Sequence, residues 1–208
     1  MALVTVSNNS LTAVTALPAS IPTGALTLIK SITASSSASI SFVDGASGVV
    51  LDDTYKSYVF KFIDVHPATD QASLSFNMST DGGSNYNIAK TTTYFTAEHR
   101  EDGSGGGLSY YTSLDLAQGT GFQNITRETA NDNDIAASGF LKIYNPSSSV
   151  FVKHFICTSN TVYNSTPDYA QNAFVAGYGN TTSAVNAIQF KMTSGNIDSG
   201  IIKLYGVK

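Results

Sequence analysis

The chain has 208 residues, of which 42% are hydrophobic and only 12% charged, and its formal net charge is −4. That balance excludes the basic footprint of a non-specific nucleic-acid binder and of a protein that docks on anionic lipid, and no run approaches the ~18 apolar residues of a membrane-spanning helix. A single cysteine, Cys157, excludes an internal disulfide.

Residues 1–25 read as an extended arm. Leu3, Val4, Val6, Leu11, Val14, Leu17 and Ile21 are scattered apolar anchors without a sustained period, and Pro18 and Pro22 block a regular helix. The opening Met1-Ala2-Leu3-Val4 lacks the basic stretch of a secretory signal. An arm of this kind is disordered in isolation, so a neighbouring subunit is its expected anchor.

From residue 26 to 208 the pattern is strand after strand, read as one domain. Leu26, Leu28 and Ile32 open it, and Ile40, Phe42 and Val43 follow, closed by Asp44-Gly45. Tyr55 to Val65 alternates, with Tyr58, Phe60 and Phe62 on one side and Val59, Lys61 and Ile63 on the other. Leu74, Phe76 and Met78 alternate with Ser73, Ser75, Asn77 and Ser79, the pattern of a half-buried strand. After the Asp81-Gly82-Gly83 turn the chain returns over Asn85 to Phe95. Residues 99–107, polar and Gly-rich, predict a flexible loop. Further strands are expected at Leu108–Leu116, Phe122–Ile125, Phe140–Tyr144, Val150–Thr158, Phe174–Tyr178, Val185–Met192 and Ile201–Val207. Regularly spaced short strands with almost no helical signal predict an all-β antiparallel sandwich, jelly-roll-like in topology.

Chemistry-bearing clusters are few. His66, His99 and His154 lack the spacing of a metal site. Glu98 and Asp102 are two carboxylates near each other, as a glycosidase requires, but the run Gly103 to Gly107 beside them predicts a mobile loop, a poor support for catalytic geometry. Asn131-Asp132-Asn133-Asp134 offers oxygen ligands, yet counting from Asp132 places Ala137 and Ile143 where a calcium-binding EF-hand needs Gly and Glu. Cys157 reads as a small buried hydrophobe. No catalytic, cofactor-binding or metal-binding residue is assigned, no cofactor is expected, and the chain is read as non-enzymatic.

Two patterns remain. Ser79-Thr80-Asp81-Gly82-Gly83-Ser84-Asn85-Tyr86 resembles the Asp-box of sialidases and other β-proteins, a turn-stabilising element. That resemblance assigns Asp81, Gly82, Gly83 and Tyr86 a structural part. Tyr110, Tyr111, Tyr163 and Tyr169 lie in or beside the candidate loops at 98–107 and 159–172, with a third loop at 128–137. They are candidate stacking surfaces for a host glycan or protein.

The closing run Gly200-Ile201-Ile202-Lys203-Leu204-Tyr205-Gly206-Val207, with Ala184 to Met192 before it, resembles the end of structural proteins common in marine bacteriophages. Phe42-Val43-Asp44-Gly45, Tyr55-Lys56-Ser57-Tyr58 and the Asp81-Gly82-Gly83 turn are similar too. The resemblance covers 26–208 and implies a virion structural protein, assembled in the host cytoplasm and placed on the virion surface. The leading expectation is a capsid decoration or cement protein, a trimer by analogy, bound to the major capsid protein through the arm. The alternative is a tail-fibre or receptor-binding module.

Overall fold

The computed structural model describes residues 25–163 and 165–208, so all but the last residue of the predicted arm, with its anchors Leu3 to Pro22, lies outside the described residues. Every regular element among the described residues is a strand. β1 (Leu26–Thr33), β2 (Ile40–Val43), β3 (Ser57–Pro67) and β4 (Leu74–Ser79) come first. β5 (Lys90–Arg100), β6 (Gly106–Tyr110), β7 (Gln123–Asn124) and β8 (Ala137–Tyr144) follow. β9 (Lys153–Tyr163), β10 (Tyr169–Gly179), β11 (Ala187–Met192) and β12 (Ile197–Val207) complete the chain.

Two antiparallel sheets pack face to face. The larger runs β1-β12-β3-β8-β9-β10-β5-β6 and the smaller β2-β11-β4-β7. Read along the chain, the pairs β1·β12, β2·β11, β3·β8 and β4·β7 are nested, one inside the next. Rolling that ribbon brings β12 beside β3 and β11 beside β4. Such a rolled, nested ribbon is the jelly roll expected from the sequence. The hairpins β5–β6 and β9–β10 are additions that widen one sheet to eight strands.

Between the sheets lies an aromatic core. Phe190 on β11 is its hub, with ring centroids 5.3 Å from Phe60, 5.4 Å from Phe62, 6.3 Å from Phe42 and 6.4 Å from Phe76. All five rings are buried. Edge-on and tilted contacts of this kind add to the area term that drives burial. Cys157 is buried too, and burial pushes its thiol pKa up.

The closing strand explains its own two glycines. Gly200 sits at φ +115 in a bulge against β3, where a Cβ would come 2.6 Å from the Asp64 carbonyl oxygen. Asp64 itself has φ 49, so both strands bend there. At Gly206 the ring of Tyr55 lies directly on the backbone, in the space a Cβ would need.

Three expectations need correcting. Residues 99–107 are not a loop: β5 continues to Arg100 and β6 starts at Gly106, so only a tight turn intervenes, closed by Arg100 N–H donating to the Gly105 carbonyl at 2.9 Å. Strand pairing satisfies backbone groups that Gly-rich composition suggests are free. Likewise much of 159–172 is strand, in register across β9 and β10 from Tyr163↔Tyr169 inward. β4, finally, is buried on both faces rather than one. Its outward Asn77 is covered by chain, its amide donating to the carbonyls of Tyr86, Thr120 and Gly121.

Candidate functional site

The eight-stranded sheet outgrows its four-stranded partner, and that mismatch creates the polar chemistry of the molecule. β7 is the edge of the small sheet. Beyond it, the segment between β6 and β7 covers the inner face of β5. Thr92 Oγ1 donates to Gln123 Oε1 at 2.7 Å and accepts from Leu116 N–H at 2.8 Å. The Tyr94 and Tyr111 rings meet edge-on at 6.3 Å.

Where this covering ends, Glu98 and Arg127 face each other. Glu98 Oε1 accepts from Thr96 Oγ1 (2.5 Å), Tyr111 Oη (2.8 Å) and Arg127 Nη1 (3.0 Å). Arg127 Nη1 also donates to Tyr111 Oη at 2.7 Å, and Nη2 pairs with Glu128 at 3.1 Å. Its guanidinium lies 4.3 Å from the Tyr111 ring centroid and 5.5 Å from that of Tyr163, within cation–π range. Tyr163 packs on Tyr169 at 5.9 Å, and Arg100 covers the Tyr169 ring at 4.8 Å. Beside this cluster opens a cavity of about 410 Å³, lined by Glu98, Arg100, Tyr169, Ser109 and the turn from Ser104 to Gly107. One carboxylate, one guanidinium, two hydroxyls and an aromatic ring suit a polyhydroxylated ligand.

Three of the four candidate tyrosines thus converge and the fourth does not. Tyr110 is the strand neighbour of Tyr111, so alternation sends it to the opposite face of the sheet, where it is 53% exposed and donates to Asp115 at 2.7 Å. Arg100 and Arg127 escaped the sequence reading, because nothing local links residue 127 to residues 98 and 163. Asp102 only caps its turn, accepting from Ser104 N–H at 2.8 Å, which lowers its pKa.

The Asp81 turn is fully connected. Asp81 accepts from the Ser79 hydroxyl at 2.6 Å and from Asn85 backbone and side-chain N–H groups at 2.9 and 2.7 Å. These bonds hold its carboxyl at a pKa of about 2, the Ser79 hydroxyl foremost. Gly82 N–H donates to Asn186 Oδ1, Gly83 N–H to Ser79 Oγ, and the Tyr86 ring stands against Gly83.

His66 pairs with Asp198 at 3.4 Å, while His99 is exposed near the end of β5 and His154, also exposed, lies 6.1 Å from the Tyr178 ring. Asn131–Asp134 forms a turn in which Ile135 N–H donates to the Asp132 carbonyl. Among the described residues no group of three His, Cys, Asp or Glu side chains is placed to hold a metal ion.

The outer face of the eight-stranded sheet is the second feature. Ten large hydrophobic side chains are exposed among the described residues. Eight of them share this face by strand register: Leu26, Leu28, Phe95, Leu108, Tyr110, Phe140, Tyr144 and Ile156. They run across the sheet from β1 at one edge to β6 at the other. Compared with known proteins, the chain matches no family model, no curated protein and no solved structure.

Proposed function

We propose that this chain is a non-enzymatic structural protein of a bacteriophage virion, a homo-oligomeric decoration or head-appendage protein that stabilises the shell it covers. The observation that carries this reading is the gathering of eight exposed large hydrophobics on one face of a jelly roll. A protein working alone in water gains nothing from such a face, whereas one that lives in an assembly buries it. The resemblance of the closing strand to phage structural proteins supports the same reading. Residues 1–25 would contact the major capsid protein, and binding to the assembled state alone stabilises it by mass action.

A second reading, a receptor-binding module, is favoured by the cavity beside Glu98, Arg100 and Tyr169. Gold-labelling Lys208 on purified particles separates the two. Label spread over the head supports decoration, and removal of residues 1–24 should then abolish attachment while the sandwich stays folded. Label confined to the tail supports the receptor reading and directs attention to that cavity. Particles without label overturn both.

A further inference from the structure

The outer face of the eight-stranded sheet has two unlike halves. On one side of the β8/β9 boundary lie β1, β12, β3 and β8, and on the other β9, β10, β5 and β6. One cross-strand row runs through Lys203, Lys61 and Phe140, then through Thr158 to Phe174, Phe95 and Tyr110. The next row carries Lys142 beside Ile156. Neither row holds a carboxylate, and Lys61, Lys142 and Lys203 form no ion pair with a described residue, although the chain as a whole is acidic; Lys61 lies 5.3 Å from the Tyr205 ring and Lys142 4.8 Å from the Tyr144 ring of their own half. Across the boundary Phe95 and Phe174 are cross-strand neighbours whose rings stack on each other at 4.9 Å.

We propose that this face binds a second copy of the chain, the lysine-bearing half of each copy packing on the lysine-free half of the other. A two-fold axis parallel to the strands at the β8/β9 boundary does this. Counting strands outward from that boundary, Lys61 on the second strand meets Phe174 of the second copy, also on the second. Lys203 on the third meets its Phe95, and Lys142 on the first meets its Ile156. Lys61 and Lys203 then meet phenylalanine side chains and Lys142 an aliphatic one, so no two like charges face each other across the contact. An axis perpendicular to the strands would instead set lysine against lysine. The contact is isologous, since residue i meets j and j meets i, and two sheet faces stack at the usual ~10 Å spacing. The face itself therefore supports a two-fold, where analogy from the sequence suggests a three-fold.

This inference deepens the oligomeric part of the reading above, and it is tested in solution, without particles. Light scattering after size exclusion of the full chain should give twice the 21.9 kDa chain mass. Phe95→Lys should give single chains, because a lysine then meets Lys203. Phe95→Glu should remain paired, with a new salt-sensitive contact to Lys203 of the second copy. Far-ultraviolet circular dichroism confirms that each variant is folded. A chain lacking residues 1–24 should also stay paired. A wild-type mass of one chain or three overturns the proposal. So does equal loss of pairing in Phe95→Lys and Phe95→Glu, which would show an apolar contact indifferent to charge. Loss of pairing on deleting 1–24 overturns it in favour of that segment as the occupant. If pairing holds but particles carry no label, the virion reading fails and this one stands.

Discussion

Lys90 is fully buried, and among the described residues its Nζ donates to Asn77 Oδ1 at 2.6 Å and the Ile88 carbonyl at 2.8 Å. Burial without a carboxylate lowers its pKa from the ordinary 10.5 to about 7. Between those two values the unfolded chain holds a proton that the folded chain does not, so folding stability from this group rises as pH climbs from about 7 toward 10.5. Lys90→Met should therefore flatten the rise in melting temperature between mildly acidic and alkaline buffer, and should stabilise most at the acidic end. An unchanged slope would mean that Lys90 keeps its charge. Tyr94 carries a fully buried hydroxyl without a hydrogen-bond partner among the described residues. An unpaired buried hydroxyl costs about 1–3 kcal/mol, so Tyr94→Phe should raise the urea midpoint rather than lower it. Gly206→Ala should do the reverse, because its methyl would displace the Tyr55 ring from the closing strand. Overpacking of that kind costs about 1–3 kcal/mol, readable as an earlier urea midpoint.

Among the elements, β11 is the strand that the small sheet cannot spare. It pairs with both β2 and β4 and carries Phe190 into the middle of the aromatic core. Phe190→Ala should cost about 3–5 kcal/mol of unfolding free energy by denaturant titration. The β5–β6 hairpin depends instead on the charge cluster beside its turn. Removing the Glu98 charge leaves Arg127 partly buried and short of its nearer partner, since both side chains are under a quarter exposed. Glu98→Gln should cost about 1–3 kcal/mol and should loosen this end of the sheet, visible as faster amide exchange along β5 and β6.

At the scale of the whole molecule, the fold was legible from alternation. Tyr58, Phe60 and Phe62 fall inside as their spacing predicts, and the turns at Asp44-Gly45 and Asp81-Gly82 sit between strands. Less legible was the arrangement of the candidate site. Tyr110 and Tyr111 read as one pair but point to opposite faces, and Arg127 reaches Glu98 only because the chain between β6 and β7 folds over the wider sheet. Length misled as well: Gly-rich residues 99–107 look like a loop until the partner strand β10 is present to hold β5 straight.

The sequence by itself determined the class of the protein: strand periodicity, sparse charge and one cysteine leave an all-β sandwich without a disulfide. Periodicity encodes which side chains share a face, and that information is local. Only the tertiary structure decided which faces are covered. It placed eight exposed hydrophobics on one side of a single sheet, buried the outward side chains of β4, and brought residues 98, 111, 127 and 163 to one point. Those outcomes follow from the order in which strands pair, and pairing between segments distant in sequence leaves no trace in the spacing of either one.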